Sequence, residues 1–194
     1  MITIKQHQIF EAEIVRQCAP TLAGIKIANL FTYTFSCNEE CFNAISSVRK
    51  ILSDKSIYIE LLKYNIISHR ALLLVYRKNS LQKTLCNYET QDFLREQGFE
   101  SPASYQEVIE ELVWRLNNSS VFPHEIGLLL GYPLEDVKAY MATPHSPGLC
   151  SGCWKAYSNL EQAKYYFEKC HHCVNSYVEN YLRGMPLEQL TVAV

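Results

Sequence analysis

One short segment constrains the fold of this chain more than any other: ALLLVYR at residues 71–77, with a second arginine, Arg70, just before it. A strand with one face in water alternates apolar and polar residues, whereas four consecutive aliphatic residues followed by a tyrosine require cover on both faces. Residues 71–77 therefore predict a buried central strand, and the rest of the chain must supply the layers that cover it.

Helical patterns supply them. Residues 3–17 suit an amphipathic helix that buries Phe10, Ile14 and Val15 and ends near Cys18 and Pro20, because proline offers no backbone N–H to a continuing helix. Gly24 and the alternation after it predict a turn into a strand over 26–33. Ser36-x-x-Glu39 is a capping box, which places a helix at about 37–52, and KSIYIELLKYN (55–65) reads as a second helical piece. Helices follow at 79–97, broken near Cys86 and closed by Gly98, and at 105–117 behind the Ser104-x-x-Glu107 capping box.

FPHEIGLLLGYP (122–133) is open between strand and helix. Gly127 and Gly131 lower its helical preference, while Pro133 suits the first turn of a helix running to about Met141. TPHSPG (143–148) has the composition of a loop, and the loop extends through Gly148, Cys150 and Cys153 to residue 153. CWKAY then reads as a strand, and Ser158-x-x-Glu161 opens a long final helix that stops before Gly184. Strands alternating with helices give an α/β (or α+β) fold: a small central sheet with several flanking helices, including a long C-terminal one. At 194 residues the default is one compact domain over 1–194.

Charge and composition exclude several classes. The formal net charge of -2 provides no general attraction to nucleic acid or to an anionic membrane, so a nucleic-acid partner is not expected. No window approaches the roughly 18 apolar residues of a membrane span, and the polar N-terminus lacks a secretory apolar region. A cytoplasmic protein with reduced thiols is the expectation. The seven glycines form neither GxGxxG nor GxxxxGK, so nucleotide binding has no signature.

The chemistry-bearing pattern is cysteine. Cys150, Cys153, Cys170 and Cys173 form C-x2-C-x16-C-x2-C, and four thiolates can close a tetrahedral zinc shell, so a structural zinc is one reading. Against it, Cys170 falls on an apolar stripe with Ala163, Phe167 and Val174, where a small buried thiol fits without metal; Cys173 is at its margin. A redox or catalytic thiol arrangement is the third reading. His171 and His172 project away from the stripe toward solvent.

Outside this motif, Cys18 in its loop setting is a candidate nucleophile and His124 a candidate base for it. Arg77, at the edge of the central strand, could place a cation at a ligand site, and Lys26 begins another strand-like segment. An HExxH zinc motif is absent, since Leu128 stands where the second histidine would fall.

Four phrases, CAPTLAGIKIANLF (18–31), ALLLVYR, FPHEIGLLLGYPLEDVKAYM (122–141) and WKAYSNLEQAKYYFEKC (154–170), together resemble the uncharacterised family catalogued as domain of unknown function 3793, found mainly in anaerobic Firmicutes. The resemblance implies no activity. It directs attention to Cys18, Arg77, His124, Glu125 and Tyr132, and it is carried by the tryptophan-containing strand and terminal helix more than by the complete set of four cysteines. The preferred expectation is a small-molecule-binding protein or thiol-dependent enzyme with a pocket near Cys18, Arg77 and His124. The alternative is a noncatalytic regulatory or interaction module, with zinc fixing the terminal helix or with a homo-oligomeric interface formed through an exposed apolar patch.

Overall fold

A computed structural model of the chain describes residues 4–193. Its central feature is an antiparallel sheet of β1 (Ala28–Thr34), β2 (Ile57–Asn65) and β3 (Arg70–Arg77), with β3 in the middle. Leu73 faces Phe31 on one side and Leu61 on the other. The apolar run of β3 is read out alternately by the pleat. Ala71, Leu73 and Val75 enter a first core with Phe10, Ile14 and Leu22 of α1 (Ile4–Leu22) and with Val48 and Leu52 of α2 (Asn38–Ser53). Leu74 and Tyr76 enter a second core on the opposite face.

That second core is closed by α3 (Lys78–Leu85), α4 (Tyr88–Glu96), α5 (Tyr105–Asn118), α6 (Ile126–Leu129) and α7 (Leu134–Ala142), through residues such as Leu81, Leu94, Leu112, Leu129 and Val137. After α7 come two very short strands, β4 (Cys150–Ser151) and β5 (Lys155–Ala156), paired as a hairpin. The chain then enters α8 (Leu160–Leu182), which lies along α1. Tyr177, Val178 and Tyr181 of α8, with Leu187 and Leu190 beyond it, seal the first core. The mixed α/β architecture, with helices on both faces of a small sheet and a long C-terminal helix, is the one expected.

Four local expectations are corrected. KSIYIELLKYN is not helical: residues 57–65 form the edge strand β2, where Ile57 and Ile59 turn into the first core and Leu62 into the second, with a bulge between Leu61 and Lys63. Pairing with β3 overrides a helical propensity worth only tenths of a kcal/mol per residue. The first helix does not stop near Pro20 but continues to Leu22. Pro20 removes one helical donor, and complete burial of Cys18, Ala19 and Leu22 around it offsets the loss. Cys37, not Ser36, is the N-cap of α2, and the Ser36 N–H donates to the Glu40 carboxylate at 3.2 Å. Asn159, one residue beyond Ser158, caps α8 by accepting from the Gln162 N–H at 3.0 Å.

Other features match. Ser104 caps α5, the break at Cys86 separates α3 from α4, and Gly98 follows α4 with φ +83. The open segment 122–133 contains the one-turn helix α6, and α7 starts at Leu134 behind Pro133.

Candidate functional site

The site forms where the α1–β1 turn, the β4–β5 hairpin and the first half of α8 meet. The Pro20 carbonyl accepts the N–H groups of both Ile25 and Lys26, at 2.8 and 2.9 Å, across a turn in which Gly24 takes φ +73. This closure folds Lys26 inward, leaving it 6% exposed with its ammonium 5.2 Å from the centre of the Tyr132 ring. Tyr166 of α8 donates its hydroxyl to the Ile25 carbonyl at 3.1 Å, joining the helix to that turn.

Glycine, one indole and one carboxylate hold the hairpin in place. The Gly152 N–H donates to the Trp154 carbonyl at 2.9 Å, and a Cβ at Gly152 would overlap the ring of Phe167, so only glycine lets this knuckle rest on α8. Asp136, buried in the first turn of α7, accepts from the Trp154 indole N–H at 2.7 Å, from the Tyr157 N–H at 2.9 Å and from the Ser158 N–H at 2.8 Å. The Trp154 ring stacks on Tyr132 and meets Phe167 edge-on, with centroids 5.3 and 4.6 Å apart. Between Gly152 and Trp154, Cys153 is thereby aimed at α8, where Cys170 lies one turn beyond Phe167.

Cys153 and Cys170 act on each other's titration. Hydrogen bonding from Cys170 is the largest cause lowering the Cys153 thiol below its ordinary range; burial opposes it, and the Lys26 charge adds to it. Cys170 is pushed upward, first by Cys153 and then by burial. The two thiols therefore titrate as a pair. Burial lowers the Lys26 ammonium, while the sulfurs of Cys153, Cys170 and Cys18 favour its charged form. Tyr132 is pushed up to about 12, mainly by burial and then by Cys153, so it remains a neutral phenol.

Cys153 also lines a pocket of about 230 Å3. Leu30, Ile126, Leu130 and Val137 form its apolar wall, and Tyr132 and Trp154 supply aromatic surface. His124 and Lys155 are its other titratable contributors besides Asp136 and Tyr140. The His124 ring packs edge-on against Tyr140 with centroids 4.9 Å apart, and the Lys155 ammonium is held by the carbonyls of Ser146 and Pro144 at 2.7 and 3.2 Å.

The residues nominated from sequence are distributed differently from the expected Cys18–Arg77–His124 pocket. Cys18 is completely buried in the first core, and burial drives its thiol far above the ordinary range. His124 lines the pocket beside second-core residues, so the two belong to opposite faces of the sheet. Arg77 donates to the carbonyls of Thr21, Leu22 and Val192, each at 2.7 Å. It caps the negative end of α1 and fastens the C-terminal segment to it. Glu125 is buried against Arg115 at 2.7 Å.

Of the four cysteines with zinc spacing, Cys153 is on the hairpin packed against α8, Cys150 lies on β4, and Cys170 and Cys173 are buried on α8. Among the described residues, no group of three or more His, Cys, Asp or Glu side chains is placed to hold a metal ion. His171 and His172 are exposed. Lys26 had the sequence signature of a strand end, and the tight Gly24 turn before it was the one local sign that it would fold inward. Asp136 and Trp154 carried no such sign, because their contact joins segments 18 residues apart.

The molecule is thus a mixed α/β protein in which Cys153, on a hairpin packed against α8, lines a pocket with aromatic and aliphatic walls. It belongs to the family described as protein of unknown function (DUF3793), whose model matches residues 14–191 and so covers the whole thiol cluster. No curated protein and no solved structure matches the chain. Among the described residues, no helix is long and apolar enough to cross a membrane.

Proposed function

We propose that this protein is a thiol-dependent enzyme acting on a small, largely apolar molecule, with Cys153 as the nucleophile. One observation carries the reading: Cys153 lines the pocket from a fixed hairpin close to the buried Lys26, and its thiol is lowered, first by Cys170 and also by the Lys26 charge. A thiolate is the reactive form of cysteine, and a neighbouring cation with a donated hydrogen bond is the environment that maintains it near neutral pH. The pocket volume suits one substituted ring, on the scale of the roughly 150 Å3 cavities that hold benzene. Tyr132 and Trp154 join the aliphatic wall in giving such a ring an apolar lining, and His124 is among the lining residues. A reducing cytoplasm, the compartment expected from the sequence, would keep both thiols available.

The test uses the chain's own cysteines as controls. Cys37 and Cys86 are exposed, so simple accessibility favours them. Treated with limiting iodoacetamide at pH 6.5 and mapped by peptide mass, Cys153 is expected to react at least tenfold faster than either. Alkylation of Cys37 and Cys86 ahead of Cys153 would overturn the reading.

A further inference from the structure

We infer that the pocket beside Cys153 takes a small apolar carboxylate, an aryl or branched-chain acid, whose anionic head is held by Lys155. The inference rests on the reading of this pocket as the substrate site, and it adds the charge of the substrate and the residue that recognises it.

Lys155 is held in place by the fold. It stands two residues beyond Cys153, on β5, and lines the same cavity. Its ammonium donates to the carbonyls of Ser146 and Pro144 at 2.7 and 3.2 Å and sits 5.9 Å from the centre of the Tyr140 ring. A Cβ at Gly148, which takes φ +68, would come within 3.0 Å of the Lys155 side chain, so the glycine leaves the lysine stem room to lie along the loop. The segment 143–148 thereby fixes the cation before any ligand arrives. A ligand that meets a side chain already ordered loses less entropy on binding.

The donor count leaves that cation unsatisfied. An ammonium has three N–H donors. Two carbonyls accept two of them, and among the described residues no carboxylate forms an ion pair with Lys155. Asp136, the carboxylate in the same lining, is already engaged by the N–H groups of Trp154, Tyr157 and Ser158. Lys26 is 6% exposed against Tyr132 and is not among the lining residues. Leu30, Ile126, Leu130 and Val137 make the wall aliphatic. A cavity of about 230 Å3 with such a wall and one cation holding a free donor is complementary to an apolar body with a single negative charge. One donor suits a carboxylate, whereas a dianionic phosphate would lack partners and be repelled more strongly by Asp136.

The two tryptophans, Trp114 and Trp154, supply a readout independent of the thiol. Trp114 is 60% exposed, so Trp114→Phe leaves Trp154, in the pocket wall, as the sole tryptophan. In that protein, Trp154 fluorescence is titrated at pH 7.5 with benzoate, benzyl alcohol and benzylamine, which share one ring and differ in charge. Benzoate is expected to bind at least tenfold more tightly than benzyl alcohol, with benzylamine weakest. Lys155→Met should bring benzoate to within twofold of the alcohol.

Equal binding of the alcohol, or tighter binding of the amine, overturns the acid assignment. A benzoate preference that survives Lys155→Met overturns the role of Lys155. Iodoacetamide mapping separates these results from the reading beneath them. Fast alkylation of Cys153 without a benzoate preference overturns the acid alone, whereas a Lys155-dependent preference with slow alkylation overturns the nucleophile alone. Silence of Trp154 toward all three probes overturns the pocket as a site for either. Where Lys155→Met does not fold, the ranking of the three probes still decides the sign of the charge.

Discussion

Cys18 and Cys153 both lie near Lys26, yet they occupy different kinds of structure. Cys18 sits in a regular helix sealed under the sheet, where apolar neighbours exclude both water and ligand. Cys153 sits in a knuckle with little regular structure, held by Gly152 against Phe167, by the Trp154 stack and by Asp136. A regular core gives rigidity but no access, and an ordinary loop gives access but no fixed partner. The hairpin combines the two because a few specific contacts, rather than extended pairing, hold it in place.

The sharpest way to break this comparison is to exchange the two thiols for hydroxyls. Cys153→Ser should abolish the fast alkylation, a loss of at least 100-fold at that position, with little change in the urea midpoint. Cys18→Ser should leave alkylation of Cys153 intact while costing about 1–3 kcal/mol in urea unfolding, since it places a hydroxyl in an apolar site. A second test removes the anchor: Asp136→Ala strands three donors at the hairpin and should destabilise by about 3 kcal/mol, with Cys153 losing its advantage over Cys37.

The pH dependence separates the two thiols by sign. Cys153 is depressed, so its alkylation rate should reach half its maximum below the ~8.5 of an ordinary thiol. Cys170→Ala should move that midpoint upward by more than Lys26→Met does, because the donated hydrogen bond is the larger cause. Equal midpoints in all three proteins would remove the proposed activation. Cys18 is raised, so its contribution to stability is fully present below the unfolded thiol value and is lost as pH rises above it. Urea unfolding between pH 7 and 10 should therefore show stability declining, and Cys18→Ala should reduce the slope.

The smallest expected signal is a metal count. Protein purified without added metal is expected to hold well under one zinc per chain and to remain alkylable at Cys153. One zinc with Cys150, Cys153, Cys170 and Cys173 all protected would replace the reactive Cys153 by a closed shell and overturn its role as nucleophile.

Much of the fold was legible because it rests on local rules. Ser104 caps α5 through a contact three residues away, and Gly98 takes the positive φ that follows a helix. The β3 run declared two covered faces in its composition alone. The exceptions are cases where a distant partner decides. Glu60-Leu61-Leu62-Lys63 are good helix formers, whereas Ile57-Tyr58-Ile59 before them favour a strand, and pairing with β3 settles the whole segment. Pro20 reads as a stop until the burial around it is known.

The candidate site divides along the same line. The spacing of Cys153 and Cys170 marked them as chemically relevant, yet it left inert core thiols, zinc and a redox arrangement all open, with inert thiols favoured by the apolar stripe. His124 lines a pocket with Cys153, while Cys18 lies in the core on the other face of the sheet, a separation that a linear pattern does not display. The amino-acid sequence by itself determined the central strand, most of the helices and the presence of a cysteine-rich return into the last helix, since each depends on neighbours within a few residues. Only the tertiary structure decided which cysteine lines the pocket and which lysine is buried close to it. Where Cys153 stands depends on how the hairpin, α8 and the α1–β1 turn pack together, and no local rule sets that packing.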